Sequence, residues 1–252
     1  MSLLKGGIVY SNAVTTVSQT YRTETVSAGW LGRALSLHAQ KYSGVVNGLD
    51  VDIWDPAQDR VIPIQYDATT WVAGKAAAKR FLQLGLSLPA DPLAPLVVAV
   101  SRLVAQKGTT AMMQAACAAS PSTFQFVLLG TGSSDGPFRD LAARNPESAR
   151  LLLFYDEPLS RLCFAAADVC LVPSAFEPCG LVQLIGQRYG APPLVRRTGG
   201  LADTVAHRET GFVYDAPEQF MPALEDALRV FRTQPKGWAA LVERAMRVDS
   251  GA

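Results

Sequence analysis

The chain has 252 residues, 49% of them hydrophobic and 18% charged, with a formal net charge of +1. Such a balance suits a globular protein with one large core or two modest ones, and it excludes the disordered and fibrous classes. A net charge so near zero removes any whole-chain attraction to nucleic acid or to an anionic membrane, so partners must be argued from local residues.

In chain order, Met1-Ser2-Leu3-Leu4-Lys5-Gly6-Gly7 lacks the cationic, apolar and cleavage-site order of a signal peptide. Residues 14–18 predict a short β-branched strand, followed by a polar stretch and then by 44–50, whose Asn47-Gly48 pair signals a turn. The region 52–73 carries Trp54, Pro56, Pro63 and Trp71 with little periodicity, and reads as an ordered, irregular connector. A helix resumes at 74–82 and is ended by Pro89, Pro92 and Pro95.

From Leu96 onward short apolar strands alternate with helix-length segments. Strands are predicted at 96–101, 124–130, 151–154, 169–173, 193–196 and 212–214, with helices near 110–119, 138–144, 159–166, 181–189, 202–207 and 217–233. That alternation argues an α/β fold with a parallel sheet covered on both faces and right-handed crossovers. No apolar run approaches the roughly 20 residues that span a bilayer. Of the four cysteines, none forms a C-x-x-C pair, and Cys117, Cys163 and Cys170 lie in apolar surroundings, which fits a reducing compartment.

Chemistry concentrates where strands hand over to helices. The run from Phe176 through Glu177, Pro178, Cys179 and Gly180 to Leu181 places one carboxylate beside backbone N–H groups, and glycine there allows close approach of a ligand. Alone, Glu177 reads more simply as an acid complementing the helix dipole, and it is the neighbouring Pro178-Cys179-Gly180-Leu181 that favours a ligand. Arg102 and Lys107 follow the first strand of the sheet and together suit a diphosphate, a planar fork beside a mobile point charge; the bland alternative is a solvated loop. Arg196-Arg197-Thr198-Gly199-Gly200 repeats the logic one strand later, with a flexible Thr-Gly-Gly loop opening a helix and Asp203 either part of it or a helix-start acid. Tyr155 either stacks on a base or packs on the sheet rim. Gly130-Thr131-Gly132-Ser133-Ser134-Asp135-Gly136 fails as a dinucleotide fingerprint, since its third glycine is one place late and Pro137 interrupts the helix that should open there; it reads as a structural turn. His38 and His207 have no ligand-spaced partner, so no metal site is indicated, and no G-x-S-x-G elbow supports a nucleophilic triad.

Taken with Lys5-Gly6-Gly7-Ile8-Val9-Tyr10, Val14-Thr15-Thr16-Val17-Ser18, Val46-Asn47-Gly48-Leu49-Asp50 and Tyr155-Asp156-Glu157, these motifs in their order and spacing closely resemble the starch and glycogen synthases, over residues 4 to about 215. Within that family the chain looks most like a soluble starch synthase of a plant or green alga. The resemblance implies a retaining glucosyltransferase of GT-B type, with two Rossmann-like domains flanking the active cleft. It divides the chain into the remnant of a first catalytic domain (1–45), a connector with the start of the second domain (46–95), a nearly complete Rossmann-like domain (96–235) and a truncated tail (236–252). By resemblance, Arg102 and Lys107 bind the diphosphate of ADP-glucose, Tyr155 lies against the adenine, and Glu177 contacts the transferred glucose. The backbone of Cys179, Gly180 and Leu181 cradles sugar and phosphate together with Thr198 and Gly199. No cofactor is implied beyond ADP-glucose as donor; the acceptor is an α-1,4-glucan, neither nucleic acid nor membrane is a partner, and plastid location and association with other starch-synthesis enzymes follow from the plant likeness.

Two departures stand out. A second glutamate expected eight positions after the first is Ile185 here, and the family's amino-terminal Lys-x-Gly-Gly-Leu loop has no counterpart, since Lys5-Gly6-Gly7 sits in another context. The competing expectation is therefore a nucleotide-sugar or glucan-binding fragment without catalysis. A nucleotide-dependent oxidoreductase built on the Gly130 loop is disfavoured by the fingerprint defects.

Overall fold

A computed structural model describes residues 2–27, 29–142 and 147–251. The amino-terminal unit consists of α1 (Leu3–Tyr10), β1 (Val14–Thr16), α2 (Gln19–Val26), α3 (Gly29–Leu37) and β2 (Tyr42–Gly44). Strands β1 and β2 pair in parallel, Val14 opposite Tyr42, so a helical crossover must join them, and α2 with α3 supplies it. Its small core is Ile8, Ala34, Leu35 and Tyr42. Three helices here were not anticipated. Gly6 and Gly7 lower the propensity of α1, and α2 buries none of its residues, so it leaves no apolar stripe to read.

The connector is irregular and ordered, as expected, and is held by aspartate turns and by docking on the second unit. Asp50 accepts from the backbone of Asp52 and Ile53, at 3.1 and 3.2 Å. The Tyr66 hydroxyl donates to Tyr189 O at 2.8 Å, and the Tyr189 hydroxyl donates to Asp59 at 2.5 Å. The connector gives way to helix at Trp71, three residues before the expected start, and α4 runs Trp71–Gly85.

Then follow β3 (Leu96–Val100), α5 (Thr109–Ala118), β4 (Gln125–Leu129), α6 (Gly136–Ala142), β5 (Ala149–Leu152), α7 (Glu157–Ala166) and β6 (Val169–Val172). The chain continues with α8 (Val182–Arg188), β7 (Pro193–Arg196), α9 (Gly199–Thr204), β8 (Phe212–Tyr214), α10 (Phe220–Thr233) and α11 (Pro235–Met246). Every residue of β3 and β4 is buried, which is why these strands read as unbroken apolar runs. The parallel sheet has the order β5-β4-β3-β6-β7-β8. Its direction of winding reverses between β3 and β6, and the loops leaving those two strands open a crevice at their carboxyl ends, the usual ligand position in such sheets.

Several boundaries differ from expectation for physical reasons. The helix expected at 138–144 starts earlier, at Gly136; its residues 143 and 144 lie outside the described chain. Pro137 does not interrupt it but occupies its first turn, where a missing N–H costs nothing. Strand β5 begins two residues before the predicted 151. The helix expected at 202–207 spans 199–204, because Gly199 and Gly200 form its first turn against the neighbouring loop rather than a flexible hinge. At 236–252, where only a truncated tail was expected, α11 packs its Trp238, Leu241 and Val242 into the core.

Candidate active site

The loop after β3 carries Arg102 and Lys107 and ends in a short 3-10 turn, Ala105–Lys107, closed by Gly108. Gly108 has φ +75°, and a Cβ on it would lie 2.0 Å from Pro173 O, so only glycine lets this loop press against the loop after β6. Two hydrogen bonds join them: Ala175 N donates to Gln106 O at 2.9 Å, and Gln106 Nε2 donates to Phe176 O at 3.0 Å. Across this seam Lys107 Nζ forms an ion pair with Glu177 Oε2, and the Ser174 hydroxyl donates to the same oxygen at 3.0 Å. Glu177 is buried, so its charge is met by the ammonium and the hydroxyl rather than by water.

The Gly130 loop supports this arrangement from behind. A Cβ on Gly130 would sit 1.8 Å from Ser101 O, and one on Gly132 would sit 2.3 Å from Leu103 O. Leu103 N donates to Thr131 O at 2.9 Å and Ser134 N donates to Leu103 O at 2.9 Å. These glycines allow close packing of the Lys107 loop, in keeping with a structural turn.

Glu177 also anchors the next strand end. Gly200 N donates to Glu177 O at 3.1 Å, and a Cβ on Gly199 would lie 1.9 Å from that same oxygen. Cys179 is buried beneath, and burial pushes its thiol pKa up. Gly180 adopts φ +81°. Gln183 is fully buried at the start of α8, donating to Cys179 O, Gly180 O and Thr204 Oγ1. A cavity of about 320 Å³ opens here, lined by Lys107, Ser174, Glu177, Gly180, Leu181 and Gln183.

The amino-terminal unit braces the turns behind this cavity, although none of its described residues lines it. Glu24 Oε1 accepts from Gly199 N at 2.9 Å and from Thr198 Oγ1 at 3.3 Å. In return the amino end of α2 is capped from α9: Thr20 N and Oγ1 donate to Asp203 at 3.0 and 2.5 Å. The Ser18 hydroxyl donates to Pro178 O at 2.6 Å, and the Tyr21 and Phe176 rings meet edge to face at 5.3 Å. Asp203 is therefore no helix-start acid; it lies near the end of α9 and holds α2. Ser174 and Gln183, which line the cavity, and Ser18, Thr20 and Glu24, which brace the turns around it, were not singled out as site residues. The partners of Ser18, Thr20 and Glu24 are far away in sequence, whereas Ser174 and Gln183 bond within four residues, to Glu177 and to the backbone of Cys179 and Gly180.

The structure thus brings Lys107, Glu177, Gly180 and Leu181 to one cavity, with Cys179, Thr198 and Gly199 packed around the same turn. Arg102 leaves the same loop but is exposed, has no side-chain partner and does not line the cavity. Tyr155 follows the edge strand β5, beyond β4 from β3 at the same end of the sheet; it does not line the cavity and is 60% exposed. Among the described residues no group of three or more His, Cys, Asp or Glu side chains is placed to hold a metal ion, and no helix is long and apolar enough to cross a membrane. A larger cavity of about 820 Å³ lies at the opposite end of the sheet, between α4 and the α10–α11 junction. Its wall is mainly apolar, with Trp71, Phe231 and Trp238, and its buried ions are already matched: Lys79 pairs with Asp168 at 2.7 Å and Lys75 Nζ donates to three carbonyls. Convergent polar groups make the smaller cavity the candidate site.

The family model for glycosyl transferases group 1 matches residues 94–229. The chain is 41% identical to a glycogen synthase of Syntrophotalea carbinolica, over 99% of this chain and 54% of that protein. It is 38% identical to a probable chloroplastic or amyloplastic starch synthase 4 of Arabidopsis thaliana, over 98% of this chain and 26% of that protein. The likeness is thus shared by bacterial and plant proteins, and the chain spans about half the length of the glycogen synthase. In three dimensions it matches the catalytic domain of starch synthase IV from Arabidopsis thaliana, bound to ADP and acarbose, with TM-score 0.91 and 36% identity over 98% of this chain and 54% of that one.

Proposed function

The chain belongs to the group 1 glycosyl transferases and is a homologue of glycogen and starch synthases over nearly its whole length, and from that premise we propose that it serves transfer of glucose from ADP-glucose to the non-reducing end of an α-1,4-glucan, with retention. In that reaction the bond from glucose C1 to the phosphate oxygen of ADP breaks and a bond from C1 to the acceptor O4 forms on the same face. The acceptor proton ends on the departing phosphate.

One observation carries the reading: a lysine ammonium, a buried carboxylate and a serine hydroxyl converge in a cavity at the point where the sheet reverses direction. Negative charge develops on the leaving phosphate, and the preorganised Lys107 ammonium is placed to stabilise it. Arg102, exposed and unpaired on the same loop, supplies the second cation without a metal ion. Glu177, held by Lys107 and Ser174, faces the hexose, and the amides of Cys179, Gly180 and Leu181 line its approach. Thr198 and Gly199 belong to the same cradle, with Glu24 as their present acceptor. Tyr155 receives the adenine at the rim.

The test is incorporation of labelled glucose from ADP-glucose into glycogen. Lys107→Ala in the active protein lowers turnover about a hundred- to thousand-fold, the effect of losing one preorganised donor to a developing anion; unchanged turnover contradicts the role. A second reading is favoured by Leu3, Tyr10, Trp30 and Leu37, each more than 60% exposed on α1 and α3. Such a bare apolar surface suits a chain that alone binds the sugar nucleotide or glucan without catalysis. Binding of ADP with no incorporation distinguishes it. Plastid location is supported by the plant relative alone and is decided by fractionation of the source cell; association with other starch-synthesis enzymes is decided by co-purification.

A further inference from the structure

The cavity beside Glu177 contains one polar atom that the protein leaves unanswered. Gln183 is fully buried, and its Nε2 donates to Cys179 O at 3.1 Å, Gly180 O at 2.9 Å and Thr204 Oγ1 at 3.1 Å. The Thr204 hydroxyl hydrogen is itself given to Gly200 O at 2.6 Å, so Thr204 can only accept from Gln183. Three acceptors therefore fix which end of the carboxamide is the NH₂; turning it over would set oxygen against three oxygens. Oε1 is left buried with no partner.

An orphaned buried carbonyl oxygen is costly; Gln187, one turn later, also leaves its Oε1 unmet, but of the two only Gln183 lines the cavity. The other polar side chains of the cavity are already committed, Lys107 and Ser174 to Glu177 and the Ser101 hydroxyl to Arg102 O. Glycine at 180 keeps the space in front of the oxygen free of a side chain: a Cβ there would fall 2.4 Å from Gln183 Oε1. What is missing is a donor. Phosphate oxygens at neutral pH only accept, whereas each hydroxyl of a hexose can donate.

We propose that Gln183 Oε1 accepts a hydrogen bond from one hydroxyl of the bound hexose, which makes Gln183 a specificity-determining residue that separates sugar nucleotide from nucleotide alone. The proposal rests on the reading of this cavity as a sugar-nucleotide site and adds the residue that recognises the sugar. It also accounts for a polar side chain at the buried start of α8, where an apolar one would pack without an unmet oxygen.

The experiment is a calorimetric cycle on the chain, combining Gln183→Met with each monodeoxy analogue of ADP-glucose. ADP, which carries no hexose, is the control, and every affinity is taken relative to ADP on the same protein. Wild type loses about fivefold in affinity for the analogue lacking the bonded hydroxyl, the size expected for one neutral hydrogen bond. Q183M loses the same factor for ADP-glucose itself and nothing further for that analogue. Losses that multiply independently at every hydroxyl position overturn the assignment while ADP binding leaves the nucleotide reading intact; a wild-type chain that binds no ADP overturns both. A measurement independent of the variant's folding is the carbon signal of the labelled Gln183 carboxamide. It shifts on addition of ADP-glucose and not of ADP; identical spectra with the two ligands also overturn the proposal.

Discussion

Replacing Lys107 with Met tests whether the ion pair at the centre of the site is a coupled unit. Lys107 and Glu177 side chains are 18% and 8% exposed, so the pair lies between two measured limits. Exposed pairs contribute about 0–1 kcal/mol, and deleting one partner of a fully buried pair costs about 3–5 kcal/mol. For these exposures we expect Lys107→Met to destabilise the fold by about 2 kcal/mol, most of it from a Glu177 carboxylate left with the Ser174 hydroxyl. Glu177→Gln removes the charge that Lys107 answers and costs somewhat less, because the ammonium is the more exposed partner. The double variant restores part of the loss, with a coupling energy of about 1–2 kcal/mol. Urea unfolding of the wild type, the two single variants and the double variant measures it, and the coupling persists at high salt because the pair is shielded from solvent ions. Losses that add within about 0.3 kcal/mol would refute the reasoning.

Gly180→Ala forces a side chain into φ +81° and against Gln183 Oε1, and should cost about 1–2 kcal/mol and weaken ADP-glucose binding. Gly6→Ala, in α1 with nothing within 4 Å, should instead stabilise by about 0.5–1 kcal/mol in the same unfolding assay. Burial pushes the thiols of Cys163 and Cys170 up to about 12, so at pH 8 a chromogenic disulfide reagent labels exposed Cys117 at once and these two only after unfolding. Rapid labelling of Cys170 in the native protein would contradict the packing of β6. The Thr69 hydroxyl and backbone, with Thr70, hold the Asp67 carboxyl down at about 2 against an ordinary 3.8. Its stabilising contribution is complete above pH 3.8 and is lost as pH falls through about 2, so the Tm gap between wild type and Asp67→Asn closes over that range. A gap that stays constant with pH would show that the turn does not depend on the charge.

How much of this was legible in the sequence depended on how local the determining contacts are. Strands β7 and β8 were found at their observed bounds because each is a continuous buried run. Lys107 and Glu177 were legible because loop, glycine and charge are written within a few residues. Glu24 and Thr20 were not, since Glu24 meets Gly199 across 175 positions and Thr20 meets Asp203 across 183. Helix α2, which carries both, is polar all round and is held by reciprocal capping with α9 rather than by an apolar face. Gln183 looked like an ordinary helix residue; only the orientation of its carboxamide and the empty valence of its oxygen reveal it. The glycines of α9 were misread for the same reason, because their role is close packing against Glu177 O and Cys179 O and not flexibility.

A crystal structure of the chain with ADP-glucose bears most directly on the central claim. The account predicts the diphosphate within hydrogen-bond reach of Lys107 Nζ and the hexose between Glu177 and the Gly180 turn, at the carboxyl ends of β3 and β6. A ligand seated instead in the larger groove between Trp71 and Trp238, or one that leaves the Lys107–Glu177 cavity empty, would contradict it.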